Sequence, residues 1–369
     1  MKLRYVLTRI FYALIILFVV ISLNFLLPRL IFTDPAEPLL RGIPEDDLIL
    51  RAAVRAEYGL DGSLFRQYFV YLGKMFTFDY GRSYVYKAPV FSVMFSKIPW
   101  SMILSLSAML ISVITGIHVG ARAAKHRGKR PDKVLLGAAT LTTALPSFWI
   151  ALVFMMLLCF AVPVFPFRGA MTEGYSLTFH EWIFWIGVLL GVVAAGVSYY
   201  FTKKVFLLFV VPVGAFVLSA LIAVPPADLA DIAYHSILPI FVLCIGSIVS
   251  YALMVRNSMI AAVNEDYVTT ARAKGLSERQ VLFGHTLRNA LLPMVTSIGM
   301  SMAGVFGGSV LIEKIFAWPG MGGLLLEAQN VGDFQLAQGI MFFYSFVTIV
   351  CNLLTDFVYH RLDPRVKLA

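Results

Sequence analysis

Charge is what this chain has least of. Asp, Glu, Lys and Arg make up only 14% of its 369 residues, against 59% hydrophobic, where a soluble domain carries about 25% charged residues. One water-soluble core does not bury that much apolar surface, so lipid is the expected solvent. The net charge of +9 then reads as basic residues gathered on one side of a membrane rather than as a nucleic-acid footprint, and no nucleic-acid partner is expected. Cysteine is also scarce. Cys159, Cys244 and Cys351 lie far apart inside apolar runs and form no CxxC pair, which argues against a disulfide or metal framework. Catalytic signatures are missing too: there is no GxxxxGK[ST], HExxH or GxSxG, so neither ATP nor a metal nor any other cofactor is expected on this chain, and it does not read as an enzyme. His180, His235 and His285 have no neighbour at metal-ligand spacing and read as interfacial or solvated. The apolar runs hold few ionisable groups, His118 and Asp356, both near run ends. An ion-coupled carrier buries such groups near the midplane, so the energy source is expected elsewhere.

Eight runs are long and apolar enough to read as spanning helices: Ile10–Ile31, Ser101–Ala123, Val134–Val162, Trp182–Tyr200, Val205–Val224, Ile237–Met254, Leu291–Ile312 and Leu336–Tyr359. The first is too long for the apolar part of a signal peptide and has no small-x-small site after it, so it reads as a retained helix. Pro146 and Pro212 are expected to interrupt their runs. Gly116-xxx-Gly120 and Gly304-xxx-Gly308 offer small faces for close helix packing. Glu313 and Lys314, at the end of one run, read most simply as interfacial anchors.

Most of the basic residues outside the long loop from Phe32 to Trp100 fall on one side if the N-terminus is cytoplasmic. They include Lys2, Arg4 and Arg9, the cluster from Arg122 to Lys133, Lys203 and Lys204, five between Arg256 and Arg288, and Arg361, Arg365 and Lys367. An even number of crossings then makes both termini cytoplasmic. The long outer loop carries two expected helices, Pro44–Tyr58 and Leu64–Phe76, the second amphipathic and aromatic and suited to an interface, to capping the bundle or to an external partner.

The most informative stretch is the polar loop from Asn264 to Pro293. Glu265–Lys274 reads as a helix whose small residues Thr270, Ala271 and Ala273 leave room for a close partner. Gly275 reads as its cap, where a positive φ costs glycine little. Ser277 with Gln280 makes a capping-box pattern that starts a second helix. The prediction is helix, sharp turn, helix, lying along the membrane surface, which is either a rigid lever for another subunit or an unpartnered surface hairpin.

Asp266-Tyr267-Val268-Thr269-Thr270-Ala271-Arg272-Ala273-Lys274-Gly275-Leu276 resembles the EAA coupling motif of bacterial ATP-binding-cassette (ABC) importer permeases, in the style of the dipeptide/oligopeptide/nickel family. Further stretches are similar to that family in order: Gly59-Leu60-Asp61, Asp79-Tyr80-Gly81-Arg82-Ser83, Ala144-Leu145-Pro146-Ser147-Phe148-Trp149, Phe316-Ala317-Trp318-Pro319-Gly320-Met321-Gly322 and Leu362-Asp363-Pro364-Arg365. The resemblance implies an all-α, polytopic transmembrane helix bundle of the type I importer permease fold, a six-helix core with an inserted hairpin. The implied organisation is residues 1–31 as the N-terminal end and first helix, 32–100 as an extracytoplasmic region, and 101–369 as the permease core, with the extra hairpin at 181–225 and the coupling loop at 264–293. It implies docking of Asp266, Thr270, Ala271, Arg272, Ala273, Lys274 and Gly275 on one of two cytoplasmic ATPase subunits, which would hold ATP and Mg. A second homologous permease, an extracytoplasmic substrate-binding protein and membrane lipid complete the implied partners, in a bacterial cytoplasmic (inner) membrane. Peptides are the implied cargo, with nickel or another small solute as the alternative within the class. A stand-alone secondary transporter or channel and a membrane-embedded enzyme are the readings outside it. The hairpin has no assigned role.

Overall fold

The computed structural model describes residues 3–31, 36–40, 43–57, 59–172, 181–202 and 207–362. Among them there is no strand, only an isolated antiparallel bridge between Arg82 and Pro89. The chain opens with α1 (Leu3–Ile31), followed by three short helices, α2 (Glu37–Leu40), α3 (Leu48–Glu57) and α4 (Leu64–Phe76). Next come α5 (Val90–Lys125), α6 (Arg130–Ala144), α7 (Ser147–Met155), a π-helical extension Met156–Ala161, α8 (Glu181–Thr202), α9 (Leu207–Ala223) and α10 (Pro226–Ala262). The polar loop supplies α11 (Asp266–Ala273), α12 (Glu278–Gln280), a π-helical turn Val281–Thr286 and α13 (Leu287–Ala290). The last four are α14 (Leu292–Gly307), α15 (Val310–Ile315), α16 (Met321–Val331) and α17 (Phe334–Leu362).

Five stretches are long and apolar enough to cross a membrane: Val6–Leu30, Val90–Lys125, Pro226–Ala262, Leu292–Ile315 and Phe334–Val358. The chain is therefore a multi-pass membrane helix bundle. The run from Val134 to Val162, expected as one span, is instead two helices meeting at 96°. Leu145 precedes Pro146 and sits in extended backbone at φ −106° and ψ 122°, because the proline ring excludes the helical region for the residue before it. Pro212, by contrast, stays inside α9 and does not interrupt it. The two hairpin helices, α8 and α9, have shorter apolar stretches than a full span over the described residues. They pack on each other so closely that a Cβ on Gly191 would lie 2.2 Å from that of Ala215. Phe184 of α8 meets Phe216 of α9 at 5.3 Å inside the hairpin, and Trp185 joins the hairpin to the bundle against Phe95 of α5 at 4.9 Å. Its expected turn at Lys203 and Lys204 lies outside the described residues, as do His180 and Asp363-Pro364-Arg365.

The two expected glycine faces part ways. Gly116 and Gly120 let α5 and α10 meet at backbone distance: a Cβ on Gly120 would lie 2.4 Å from the carbonyl oxygen of Ala252. Gly304 has nothing within 4 Å, and Gly308 is a turn at φ +70°, so the second pair is not a packing face. His235 is buried, not solvated, with its ring nitrogen 3.0 Å from the carbonyl of Asp231.

The first helix and the last are joined directly. The Asn24 side chain donates to the Gln338 carbonyl at 2.8 Å, and the Gln338 side chain donates to the Asn24 carbonyl at 2.9 Å. The segment before α5 is tied to the same end of the bundle. Ser83 donates to Asp333 at 2.5 Å, the Arg82 amide to Gln335 at 2.9 Å, and Tyr84 to the Val331 carbonyl. Burial pushes the Asp333 carboxyl up from its ordinary value, opposed by hydrogen bonds from Ser83 and backbone amides.

Candidate functional site

Two parts of the molecule have the make-up of working surfaces: the polar loop between α10 and α14, and a cavity between the α6–α7 bend, α10 and α14. The loop is the helix, turn and helix its residues dictate. Gly275 follows α11 at φ +78°, with its amide donating to the Arg272 carbonyl at 2.9 Å. Ser277 and Gln280 form the capping box, each side chain accepting the other's backbone amide. Arg272 closes the angle from α11 to α12 by donating to Glu278 at 2.9 Å.

The residues singled out in sequence divide by environment. Asp266, Thr270, Arg272, Ala273, Lys274 and Gly275 are exposed. Ala271 is not. It packs with Val268 and Val281 in the loop's own small core, so its small size serves the fold of the loop and not an external contact. The space where a Gly275 side chain would stand is open, with nothing within 4 Å. The return leg of the loop packs through Leu287 and Ala290 on Val255 and Met259 of α10.

No motif in the sequence marks the cavity. It measures about 400 Å³ and is lined by Thr142, Leu145 and Ser147 at the α6–α7 bend, Ser247 and Ser250 of α10, and Ser297 and Ser301 of α14, with Ser309 and Ile312 closing one end. Its lining holds six serines and no Asp, Glu, Lys, Arg or His. Ser147, Ser250 and Ser301 are exposed in the single chain, so the cavity is open on one side. Such a surface offers hydroxyl groups to a polar, uncharged backbone without fixing a charge. The sequence signal was there: Ser247 with Ser250 and Ser297 with Ser301 recur at one-turn spacing in otherwise apolar helices.

Behind the cavity stands Glu313. Read from sequence as an interfacial anchor, it is in fact buried, with 1% of its surface exposed. Its carboxylate accepts from Ser101 at 2.8 Å, from the Gly323 amide at 2.9 Å and from the Ser309 amide at 3.3 Å. It thereby caps the start of α16, where free amides favour negative charge. The glycines of the Trp318-Pro319-Gly320-Met321-Gly322 turn have a steric reason. A Cβ on Gly320 would lie 2.5 Å from Glu313 Oε1, and one on Gly308 2.0 Å from the same atom. The segment Ser309–Ile315 that closes the cavity is thus fixed from its far side. Trp318 completes the fixing, donating its indole N–H to the Trp100 carbonyl at 2.9 Å. No group of three or more His, Cys, Asp or Glu side chains placed to hold a metal occurs among the described residues.

Comparison with known proteins supplies the context. The family described as "Binding-protein-dependent transport system inner membrane component" matches residues 113–368, and its N-terminal companion matches residues 2–107. The dipeptide transport system permease protein DppB of Lactococcus lactis is 30% identical over 367 residues, 99% of each chain. The di/tripeptide transport system permease protein DppB of Pseudomonas aeruginosa is 30% identical over 350 residues, 95% of this chain and 94% of its own. The oligopeptide transport system permease protein AppB of Bacillus subtilis is 28% identical over 312 residues, 84% and 83%.

Proposed function

Because the chain belongs to the binding-protein-dependent transport system inner membrane component family, we propose that it is the permease subunit of an ABC importer for di- or oligopeptides. The observation that carries the cargo is the match, over nearly the full length of both chains, to permeases named for dipeptides and di/tripeptides. The cavity supports it: a lining of hydroxyls without charge suits peptide backbones whose side chains vary. Its open side suits a pathway of which this chain forms one half and a second, homologous permease the other.

In this reading the 264–293 loop docks on a cytoplasmic ATPase subunit through its exposed residues Asp266, Thr270, Arg272, Ala273, Lys274 and Gly275. Two ATPase subunits hold ATP and Mg and perform the hydrolysis. An extracytoplasmic binding protein delivers the peptide. Both termini lie in the cytoplasm of a bacterial cell, on the side of the coupling loop. ATP binding shifts the bundle between outward- and inward-open packings, and it does so only by interacting differently with the two.

The test is purification of the tagged chain from native membranes in mild detergent, with mass-spectrometric identification of what accompanies it, followed by reconstitution and uptake of labelled dipeptide. Recovery of a second permease and ATPase chains with ATP-dependent peptide uptake is the expected result. A chain that moves solute alone, or a complex that moves nickel and no peptide, overturns the reading at the level of class or of cargo. Gly275→Trp probes the loop: the expected outcome is a chain that inserts but neither binds the ATPase nor transports, and retention of both sinks the docking assignment.

A further inference from the structure

We propose that the Asp132–Arg256 ion pair is the joint through which the coupling loop moves the wall of the cavity, an inference that rests on the importer reading above. The pair is built with care. Arg256 Nε donates to Asp132 Oδ1 at 2.6 Å and its Nη2 to Oδ2 at 3.1 Å, a two-point fork. The Gly128 amide adds a third bond to Oδ2 at 2.8 Å. Asp132 is 2% exposed.

Its place in the fold gives the pair its role. Arg256 sits on α10 between Val255 and Met259, the residues on which the return leg of the loop packs. Force on the loop therefore reaches α10 at the level of the pair. On the other side, α6 lies against α10 and α5 but buries few side chains. Asp132 and Leu135 are its only buried residues, while Val134, Leu136 and Leu141 face outward. Leu135 packs on Ala123 and Ala252 at the same end. At its far end α6 breaks at Leu145 and Pro146, where Thr142, Leu145 and Ser147 line the cavity opposite Ser247 and Ser250 of α10. So α6 is an arm fastened at one end, hinged at the other, and carrying part of the cavity wall at its hinge.

The rest of the neighbourhood is unsuited to motion. Gly116 and Gly120 lock α5 to α10 at backbone contact, where sliding would drive atoms together. The α5–α10 pair moves as one body, and α6 follows it through the ion pair. Asp132 and Arg256 are thus positioning residues: they touch no cargo, and they set how loop displacement becomes displacement of the wall.

The experiment uses the whole complex in liposomes and reads peptide taken up per ATP hydrolysed. In Asp132→Asn and Arg256→Gln the ATPase subunits co-purify and hydrolysis continues, while uptake per ATP falls about tenfold, within the range of a typical coupling free energy. The exchanged pair Asp132→Arg with Arg256→Asp regains most of the ratio. Should Asp132→Asn fail to assemble, Arg256→Lys carries the test, since it keeps the charge but loses the fork, and its ratio falls as well. An unchanged ratio in the variants that assemble overturns the proposal, even if their stability drops, because a merely structural fastening lowers yield and leaves the ratio alone. A wild-type chain that recovers no ATPase overturns the importer reading, and the joint with it.

Discussion

The Ser101 hydroxyl donates to Glu313 at 2.8 Å and accepts from the Met321 amide at 2.8 Å, so one side chain of α5 joins α15 to the first turn of α16. Two regions 212 residues apart meet at this point, and none of the three helices has another buried acid to stand in for Glu313.

Replacing Glu313 with Ala is expected to destabilise the chain strongly. The change leaves the Ser101 hydroxyl and the Ser309 and Gly323 amides without their acceptor, and a buried unsatisfied group costs about 1–3 kcal/mol. Glu313→Gln, which keeps the shape and one acceptor oxygen, is the milder change. Thermal unfolding in detergent ranks the two, and equal midpoints for wild type and Glu313→Ala would contradict the network.

Glycines at positive φ separate strain from space. Gly128 and Gly308 have φ of +77° and +70°. Gly128→Ala meets open space and carries only the left-handed penalty of about 1–2 kcal/mol. Gly308→Ala adds a collision with Glu313 and Ser101. Folded yield by gel filtration should be near normal for the first and poor for the second.

The two GxxxG pairs make opposite forecasts. Gly120→Leu drives a side chain into Ala252 and Val255 and costs about 1–3 kcal/mol by overpacking. Gly304→Ala, in an open position inside α14, is neutral or raises stability by up to about 1 kcal/mol through helix propensity. A comparison of thermal midpoints decides it.

The cavity forecast concerns traffic rather than stability. Ser250→Trp and Ser301→Trp fill the opening without disturbing buried packing, so uptake falls to background while assembly and thermal midpoint hold. Ser250→Cys, in a chain with Cys159, Cys244 and Cys351 replaced by Ala, reacts with a polar thiol reagent, and peptide slows the reaction. Uninhibited transport by Ser250→Trp would place the pathway elsewhere.

The capping box can be tested on its own. Ser277→Ala removes one half of the Ser277–Gln280 exchange, worth about 1 kcal/mol. Amide exchange in α11 to α13 should accelerate roughly fivefold, consistent with that energy, and no change would mean the loop is held by other contacts.

What could be read from the sequence was local. The capping box and the glycine after α11 depend on a few consecutive residues, and the structure has them where the spacing puts them; of the eight apolar runs, five are helices long enough to cross a membrane among the described residues, one is bent in two and the hairpin pair is shorter. Pro146 was read as an interruption, but the size of the bend depends on what receives α7, which no local pattern holds. Glu313 escapes a local reading for the same reason. Beside Lys314 it resembles a charge at a membrane boundary, and only the return of Ser101 from 212 residues away makes it interior. Ala271 lies inward although its neighbours along the helix are exposed, because small residues suit close contacts of either kind, internal or external. The serines of the cavity were visible at one-turn spacing, but α10 and α14 must be brought face to face before the spacing means anything.

The paired bonds between Asn24 and Gln338 bear on how the chain is made. A ribosome finishes α1 some three hundred residues before it reaches α17. Until then the Asn24 side chain has the Tyr71 hydroxyl, to which it donates at 3.1 Å, but lacks both bonds to Gln338, and a polar group left partly unsatisfied in lipid is costly. The first helix therefore enters the membrane early but settles late. Chains that stop before Phe334 should leave it a target for quality-control proteases, while a separately synthesised α17 could rescue it.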